Sequence, residues 1–590
     1  MRHLVRRALA LAAFLTLLVG VSGRPALAAS LTAPPSFDKP PVGWRLSAEQ
    51  AITIARRSHA FQSQRERRGE LAASAYMAPG KRWQVGFFAG RREVAQVHVD
   101  DRSGRIVEQW TGYQVAWSMA RGYPGAFGRV VNAPYVWLPL CLLFLLPFVD
   151  LRRPLRPLHF DLLAVLAFGV SHFFFNRGEI GWSVPLAYGP LVWLALRATW
   201  LAARPSCPRG RLIPVFPLSV LALGLVVLVA FRVALNVLDS NVIDVGYASV
   251  VGADRIADGR PLYDPNFAPD IDHGDTYGSF TYLAYVPFEQ ALPWSGRWDE
   301  LPAAHAAALA FDLLTLVALM AVGWRIAGGD RRRRSELALA LGWAWASCPY
   351  AAFVVQSNSN DGLVAALIAL ALLAATGRSR SPATLGRSLF AALAVAAKFA
   401  PAVAAPALIV GQGERRKFSL ALGGIFAATV VGALLVAFLP DGGWRALWER
   451  TVGYQADRLT PFSIYGQVPT LEPLRTALTA IAGLAAAVLA FVPKRRDLAT
   501  LAALVTLSLV LVQLAAGYWF YLYVAWFLPA WLIAVIGPWG RGGHLRTAER
   551  LSYVASGAAT RSIERARPSP FVSTSTPCNH GSSSVGSKRA

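Results

Sequence analysis

Cysteine is scarce in this 590-residue chain: Cys141, Cys207, Cys348 and Cys578 stand far apart, with no metal-ligand spacing. That pattern excludes a disulfide framework and a thiolate zinc site. No metal site and no cofactor are expected, with a dependence on a divalent cation left open. Acids are also few, 34 Asp and Glu against 58 Lys and Arg, giving a formal net charge of +24. Such an excess invites a nucleic-acid reading, but the arginines cluster in short loops between apolar runs and form no single groove-lining face. Nucleic acid is therefore not an expected partner. With 55% hydrophobic residues and a mean hydropathy of +0.40, the chain is too apolar for a soluble globule and reads as a polytopic membrane protein.

Residues 1–29 read as a secretory signal: Arg2, Arg6 and Arg7 precede an apolar run, and Ala26-Leu27-Ala28 offers small residues for cleavage. An uncleaved anchor is the alternative, and either one exports the adjoining polar segment. Residues 45–115 are polar, with a helix expected over Ser47–Ser58, strands over Arg82–Phe88 and Val94–Asp100, and a turn at Asp101-Arg102-Ser103-Gly104. This segment, ending in Val99-Asp100-Asp101-Arg102-Ser103-Gly104-Arg105-Ile106-Val107, resembles a PepSY domain. The resemblance implies a binding or inhibitory module with no catalysis of its own. Residues 135–203 supply three additional spans, residues 214–537 a larger helical core, and residues 541–590 a basic tail rich in Ser and Gly that is expected to be disordered.

Threading the apolar runs from an exported amino terminus puts the arginine-rich loops at 152–156, 204–211, 331–334 and 378–387 inside. A full crossing by Leu389–Val410 would then put Arg415, Arg416 and Lys417 outside. A re-entrant pair broken near Lys398-Phe399-Ala400-Pro401 keeps them inside, leaving about eleven spans and an internal carboxyl terminus. Irregular backbone at membrane depth needs cover from protein or a water-filled cavity, so Lys398 is expected to line one. A lysine snorkelling from an ordinary span is the alternative.

Two long polar loops lie outside, 239–301 and 441–473. The first begins at the mouth of the Pro214–Leu238 run with Asp239 and Asp244. A helix is expected over Ile243–Ala257, ended by Gly259 and Pro261, with Asp244, Tyr247, Val251, Asp254 and Asp258 on one face. A carboxylate there can take the proton from an acceptor hydroxyl as it attacks a sugar's anomeric carbon. A leaving lipid phosphate needs a cation, for which Lys398, Arg255, Arg458 and Arg450 are candidates.

Short stretches in a set order carry a family resemblance: Asp244-Val245-Gly246-Tyr247, then Ala257-Asp258-Gly259-Arg260-Pro261-Leu262-Tyr263, then Tyr282-Leu283-Ala284-Tyr285-Val286-Pro287, with Gln356-Ser357-Asn358-Ser359-Asn360-Asp361 and Lys398-Phe399-Ala400-Pro401 further along. Together they resemble glycosyltransferase family 87. The resemblance implies a mainly α, polytopic transmembrane bundle of GT-C type, here with a small extracytoplasmic α+β domain in front. It implies transfer of a sugar, mannose in that family, from a polyprenyl-phosphate donor to a membrane lipid or glycan acceptor outside a bacterial plasma membrane. By the same resemblance Asp244 is the catalytic base with Asp239 as a second acid. Of the candidate cations, Lys398 with Arg458 or Arg255 is expected to bind the donor phosphate, and Tyr247, Tyr263, Tyr282, Gln356, Asn358 and Asn360 are expected to line the substrate. The front domain and three extra spans depart from the family pattern. So does the outer turn Gly517-Tyr518-Trp519-Phe520-Tyr521, aromatic where a histidine is expected.

Other readings stay open. Asp244 can serve as a plain helix cap. Asp270-Ile271-Asp272-His273 reads as a solvated turn in preference to a metal site. Trp444, Trp448, Tyr454, Tyr465, Tyr518, Trp519, Tyr521 and Tyr523 suit an interfacial belt or a sugar platform. His305 and Asp312 share one helix face. A transporter of lipid-linked sugars should show internal repeats and charges spread through several spans, whereas here acids crowd one outer loop. A non-catalytic sensor using the front domain would not need such a loop.

Overall fold

The computed structural model describes residues 31–122, 130–204, 208, 210–271, 273–377, 380–412, 416–458, 460–494 and 496–541. The expected signal segment, the carboxyl-terminal tail, Cys207, Asp272 and Arg415 lie outside them.

The polar front segment folds on its own core. Two helices, Ala48–Ala55 and His59–Arg68, pack on a four-stranded antiparallel meander in the order β1 (Ala72–Ala78), β2 (Arg82–Ala89), β3 (Arg92–Asp100) and β4 (Ile106–Thr111). Ser47 and Gln50 close a capping box at the first helix. Alternation along β2 and β3 sends Trp83, Val85, Phe87, Val97 and Val99 inward against Ala48, Ala51 and Phe61. Sequence reasoning placed β2, β3 and the first helix but missed β1, β4 and the second helix. The missed helix has a largely polar sequence, HAFQSQRERR, that hides its one buried stripe.

Beyond Pro134 the chain is helical. Among the described residues seven helices are long and apolar enough to cross a membrane: Pro157–Asn176, Ile180–Ala203, Leu218–Leu238, Pro302–Ile326, Arg416–Ala437, Pro469–Leu489 and Tyr521–Gly540. An eighth is available if the pair Arg331–Ser347 and Pro349–Gln356, bent by 57°, counts as one span. Four apolar helices are shorter, including Asp361–Ala374 and Ser381–Ala397. The expected count of about eleven is thus reached only if short helices also cross. The bend follows from Pro349, which opens a new helix where an uninterrupted run had been expected.

The break at Lys398 is present: a helix ends at Ala397, a single 3-10 turn covers Ala400–Val403 and a short helix runs Ala405–Val410. The chain also turns back there. Arg387, upstream of the break, donates to the carbonyls of Ile409 (3.0 Å) and Val410 (3.4 Å), downstream of it. Arg496 donates to Gly411 O (2.6 Å), and Arg416 donates to the carbonyls of Phe491 and Pro493. These arginines gather at one end of the hairpin, away from Lys398.

Two polar groups on the Pro302–Ile326 helix are paired across the bundle, as an apolar surround favours. Arg232 grips Asp312 through both carboxylate oxygens (2.9 and 2.5 Å), Trp345 Nε1 donates to the same acid (2.9 Å), and Arg232 also reaches Ala346 O and Ala351 O. His305 instead meets Asn236 and Ser240. Although Asp312 and His305 share a helix, each is bonded across to the Leu218–Leu238 helix or the turn just after it.

Candidate functional site

The helix Asp244–Ala257 begins one residue inside its expected span, with Asp244 as its first residue. What fixes its position is the turn after Gln356. Asn241 N and Ile243 N donate to the carbonyls of Gln356 (2.9 Å) and Ser357 (3.2 Å). Asn358 takes a left-handed φ of 50°, a conformation asparagine tolerates better than most residues. From there its amide donates to Ser240 Oγ and Asn241 O, and its oxygen accepts from Asn236 at 2.6 Å. Asn360 donates to Val245 O and Ser249 Oγ. Gly246 lies so close to this turn that a Cβ there would stand 2.4 Å from Asn358 O.

The same turn ends in Asp361, almost wholly buried at the start of the Asp361–Ala374 helix. Lys398 forms an ion pair with it, Trp526 Nε1 donates to it at 2.7 Å, and Ser359 Oγ donates to its second oxygen. The Lys398 ammonium also faces the rings of Tyr277 (5.3 Å), Trp526 (5.2 Å) and Tyr523 (5.9 Å). Tyr277 is held there because Gly278 N and Thr281 Oγ1 both donate to Ala397 O, the carbonyl just before Lys398.

Opposite stands Arg458. Its guanidinium lies over Tyr518 (4.5 Å), Tyr454 (5.8 Å) and Trp117 (6.0 Å), and among the residues whose side chains are described no carboxylate comes within salt-bridge reach of it. Thr460, just after it, is tied to Gly517 O through N and Oγ1. A π-helical turn at Glu449–Gly453 precedes the Tyr454–Asp457 helix. The part-buried pair Arg450–Asp275 (2.6 Å) joins the two long loops, 239–301 and 441–473.

Asp244 shares this surround. Its carboxyl is pushed above the ordinary carboxylate range, first by burial and further by the charge of Asp361, while the Val245 N–H, Arg458 and Lys398 oppose the rise. Yet its side chain is exposed. An accessible carboxylate that is nevertheless desolvated stands in a recess. Tyr277, Tyr454, Arg458, Tyr518 and Tyr523 are each part-exposed around it.

The structure thus brings together Asp244, Lys398 and Arg458, and adds Asp361, Tyr277, Tyr518, Tyr523 and Trp526. Other expected site residues lie elsewhere. Asp239 ends the preceding helix, where its carbonyl accepts from Gln356 Nε2 at 3.4 Å. Arg255 is tied to its own loop: its donors go to Pro261 O, Asn266 O, Phe267 O and the Asp264 carboxylate. Tyr247 is fully buried, stacked on Trp298 at 4.8 Å and donating to Asp270. Tyr263 donates to Tyr277 O, and Tyr282 OH both donates to Gly274 O and accepts from Tyr277 N. Gln356, Asn358 and Asn360 are buried within the turn. Of the aromatics, Trp444 and Trp448 are exposed as a belt would be, Tyr465, Trp519 and Tyr521 are core, and Tyr454, Tyr518 and Tyr523 wall the recess. Among the described residues no cluster of three His, Cys, Asp or Glu is placed to hold a metal ion.

Apolar helices enclosing a recess with one desolvated acid and one ring-caged arginine define a multi-pass membrane protein with a polar site. Residues 276–537 match the model of glycosyltransferase family 87, which supports a membrane glycosyltransferase. The match covers less than half of the chain: it holds Tyr277, Asp361, Lys398, Arg458 and Tyr518, and begins after the helix carrying Asp244. No match is found among curated proteins or among solved structures.

Proposed function

We propose that this protein moves a sugar, mannose by family resemblance, from a polyprenyl-phosphate donor to a hydroxyl of a glycolipid or glycan at the outer face of a bacterial plasma membrane. The observation that carries the reading is the recess itself. Among the residues whose side chains are described, it holds a carboxylate without a cation within ion-pair distance and an arginine without a carboxylate, each accessible, beside the paired charges Lys398 and Asp361.

In this mechanism the donor phosphate takes the open side of Arg458, whose planar fork suits two phosphate oxygens. Asp244 accepts the proton of the acceptor hydroxyl as its oxygen forms a bond to the anomeric carbon. The bond from that carbon to the phosphate oxygen breaks, and its electron pair leaves with the lipid phosphate, where Arg458 balances the charge. Asp361 is held by Lys398, Trp526 and Ser359 and is not free to attack, which favours a single displacement with inversion. Lys398, balanced by Asp361, adds positive field at the phosphate. The front domain remains a binding module of PepSY resemblance outside the membrane. The outward side is supported by the arginines Arg387, Arg416 and Arg496, gathered at the hairpin end away from Lys398 as cytoplasmic loops demand.

The test is to reconstitute the full chain in liposomes and supply radiolabelled sugars on polyprenyl phosphate and, separately, on nucleotides. Transfer from the lipid carrier is expected. Transfer only from nucleotide sugars, or from neither, contradicts the proposal.

A further inference from the structure

Between the front domain and the first span runs a short strap, the helix Tyr113–Ala116 followed by a 3-10 turn at Ser118–Arg121. Its place is fixed at both ends. Arg121 bonds Gln96 in β3 and also donates to Gln114 O at 2.9 Å, with its guanidinium over Trp110. Gln114 Nε2 reaches Gly178 O (3.2 Å) in the turn before the Ile180–Ala203 helix. Gly122, at a positive φ of 59°, packs so closely on that turn that a Cβ would stand 1.9 Å from Gly178 N.

A strap held this way points two side chains at the recess. Trp117 meets Phe462 edge-on at 5.7 Å and lies under the Arg458 guanidinium. Met119 Sδ accepts from Tyr518 OH at 3.8 Å, the tyrosine on which Arg458 lies most closely. One ring of the three around Arg458 therefore comes from outside the segment matching family 87, carried in by the front domain's own tether.

We infer that Trp117 is a positioning residue for Arg458, so that the front domain completes the anion-binding wall of the transfer site instead of acting as a separate appendage. The inference rests on the reading of Arg458 as the phosphate partner. Three ring faces fix the guanidinium plane while leaving its N–H edge for an anion. Removing one face leaves the cation present but free to turn, so affinity for a phosphate-headed lipid falls without loss of charge.

The experiment measures binding of undecaprenyl phosphate to the purified full chain in nanodiscs, after size exclusion. Trp117→Ala is expected to weaken binding about 5- to 30-fold, and Trp117→Phe, which restores a ring face, to stay within about threefold of the parent. Arg458→Ala should weaken binding more, and adding Trp117→Ala to it should cost nothing further, because the ring acts only through the guanidinium. If Arg458→Ala weakens binding while Trp117→Ala does not, or if the two losses add, the inference is overturned and the transferase reading stands. If Arg458→Ala has no effect, the phosphate role falls and takes the inference with it. Equal losses in Trp117→Ala and Trp117→Phe mark a packing role and also overturn it.

Discussion

Replacing Asp361 by Asn would strand the Lys398 ammonium where its remaining contacts are ring faces. The carboxylate has three donors, the lysine, Trp526 Nε1–H at 2.7 Å and Ser359 Oγ, and both partners of the ion pair are almost wholly buried. Breaking a buried pair by removing one member costs about 3–5 kcal/mol, chiefly because the survivor's charge goes uncompensated. The reverse change, Lys398→Met, is milder: Asp361 keeps the Trp526 and Ser359 donors, and hydrogen bonds to a charged group contribute about 1.5–3 kcal/mol each. Asp361→Asn should therefore destabilise more than Lys398→Met, and the double variant less than Asp361→Asn alone, since no charge is left without its partner. The assay is thermal or denaturant unfolding of the detergent-solubilised full chain, with the three variants beside the parent. Two small losses of under about 1 kcal/mol that add in the double variant, as exposed pairs give, would refute the buried pair and with it the placement of the recess.

In the proposed mechanism Asp244 acts as a base when ionised, and its carboxyl is raised by burial, so the acid limb of kcat/KM should lie above the ordinary carboxylate value of about 4. Lys398 lowers and Asp361 raises that carboxyl, so Lys398→Met should move the limb to higher pH and Asp361→Asn to lower pH; shifts in one common direction would contradict the arrangement. Gly246→Ala puts a Cβ against Asn358 O and Val242, so it should push the Asp244 helix off the turn and cut transfer on the order of 100-fold, while a neutral result would mean that the clasp does not set the base. Single cysteines at positions 387 and 416, in a background lacking the native four, should react with impermeant reagent from the same side of the membrane; labelling from opposite sides would undo the hairpin.

Much of this site could be read from one dimension where the signal is local. An acid opening a helix at the mouth of an apolar run gives Asp244, and the sidedness of the flanking arginine loops gives the fold-back, placed at Lys398 by the break at Phe399-Ala400-Pro401. Asp361 escaped because it reads as the last polar residue of a turn, while its partners lie far along the chain at positions 398 and 526. The motif residues Tyr247, Tyr263, Tyr282, Gln356, Asn358 and Asn360 stood out as polar groups at the outer face, but five of them spend side-chain hydrogen bonds on backbone carbonyls and Tyr247 spends its own on Asp270. In a poorly hydrated interior such groups must find protein partners, which makes scaffolding residues and substrate contacts look alike in sequence. Arg255 and Arg458 likewise could be told apart only by their neighbours, carbonyls and Asp264 for one and aromatic faces for the other. The helix lengths were not legible where a proline or a polar turn cuts an apolar run into shorter helices, as Pro349 does.

The most direct test is sugar transfer from polyprenyl phosphate by Asp244→Asn in reconstituted liposomes, at matched protein level and with donor binding measured in parallel. Turnover should fall by about 100- to 10,000-fold while donor affinity stays close to that of the parent. Turnover within about threefold of the parent would contradict Asp244 as the base.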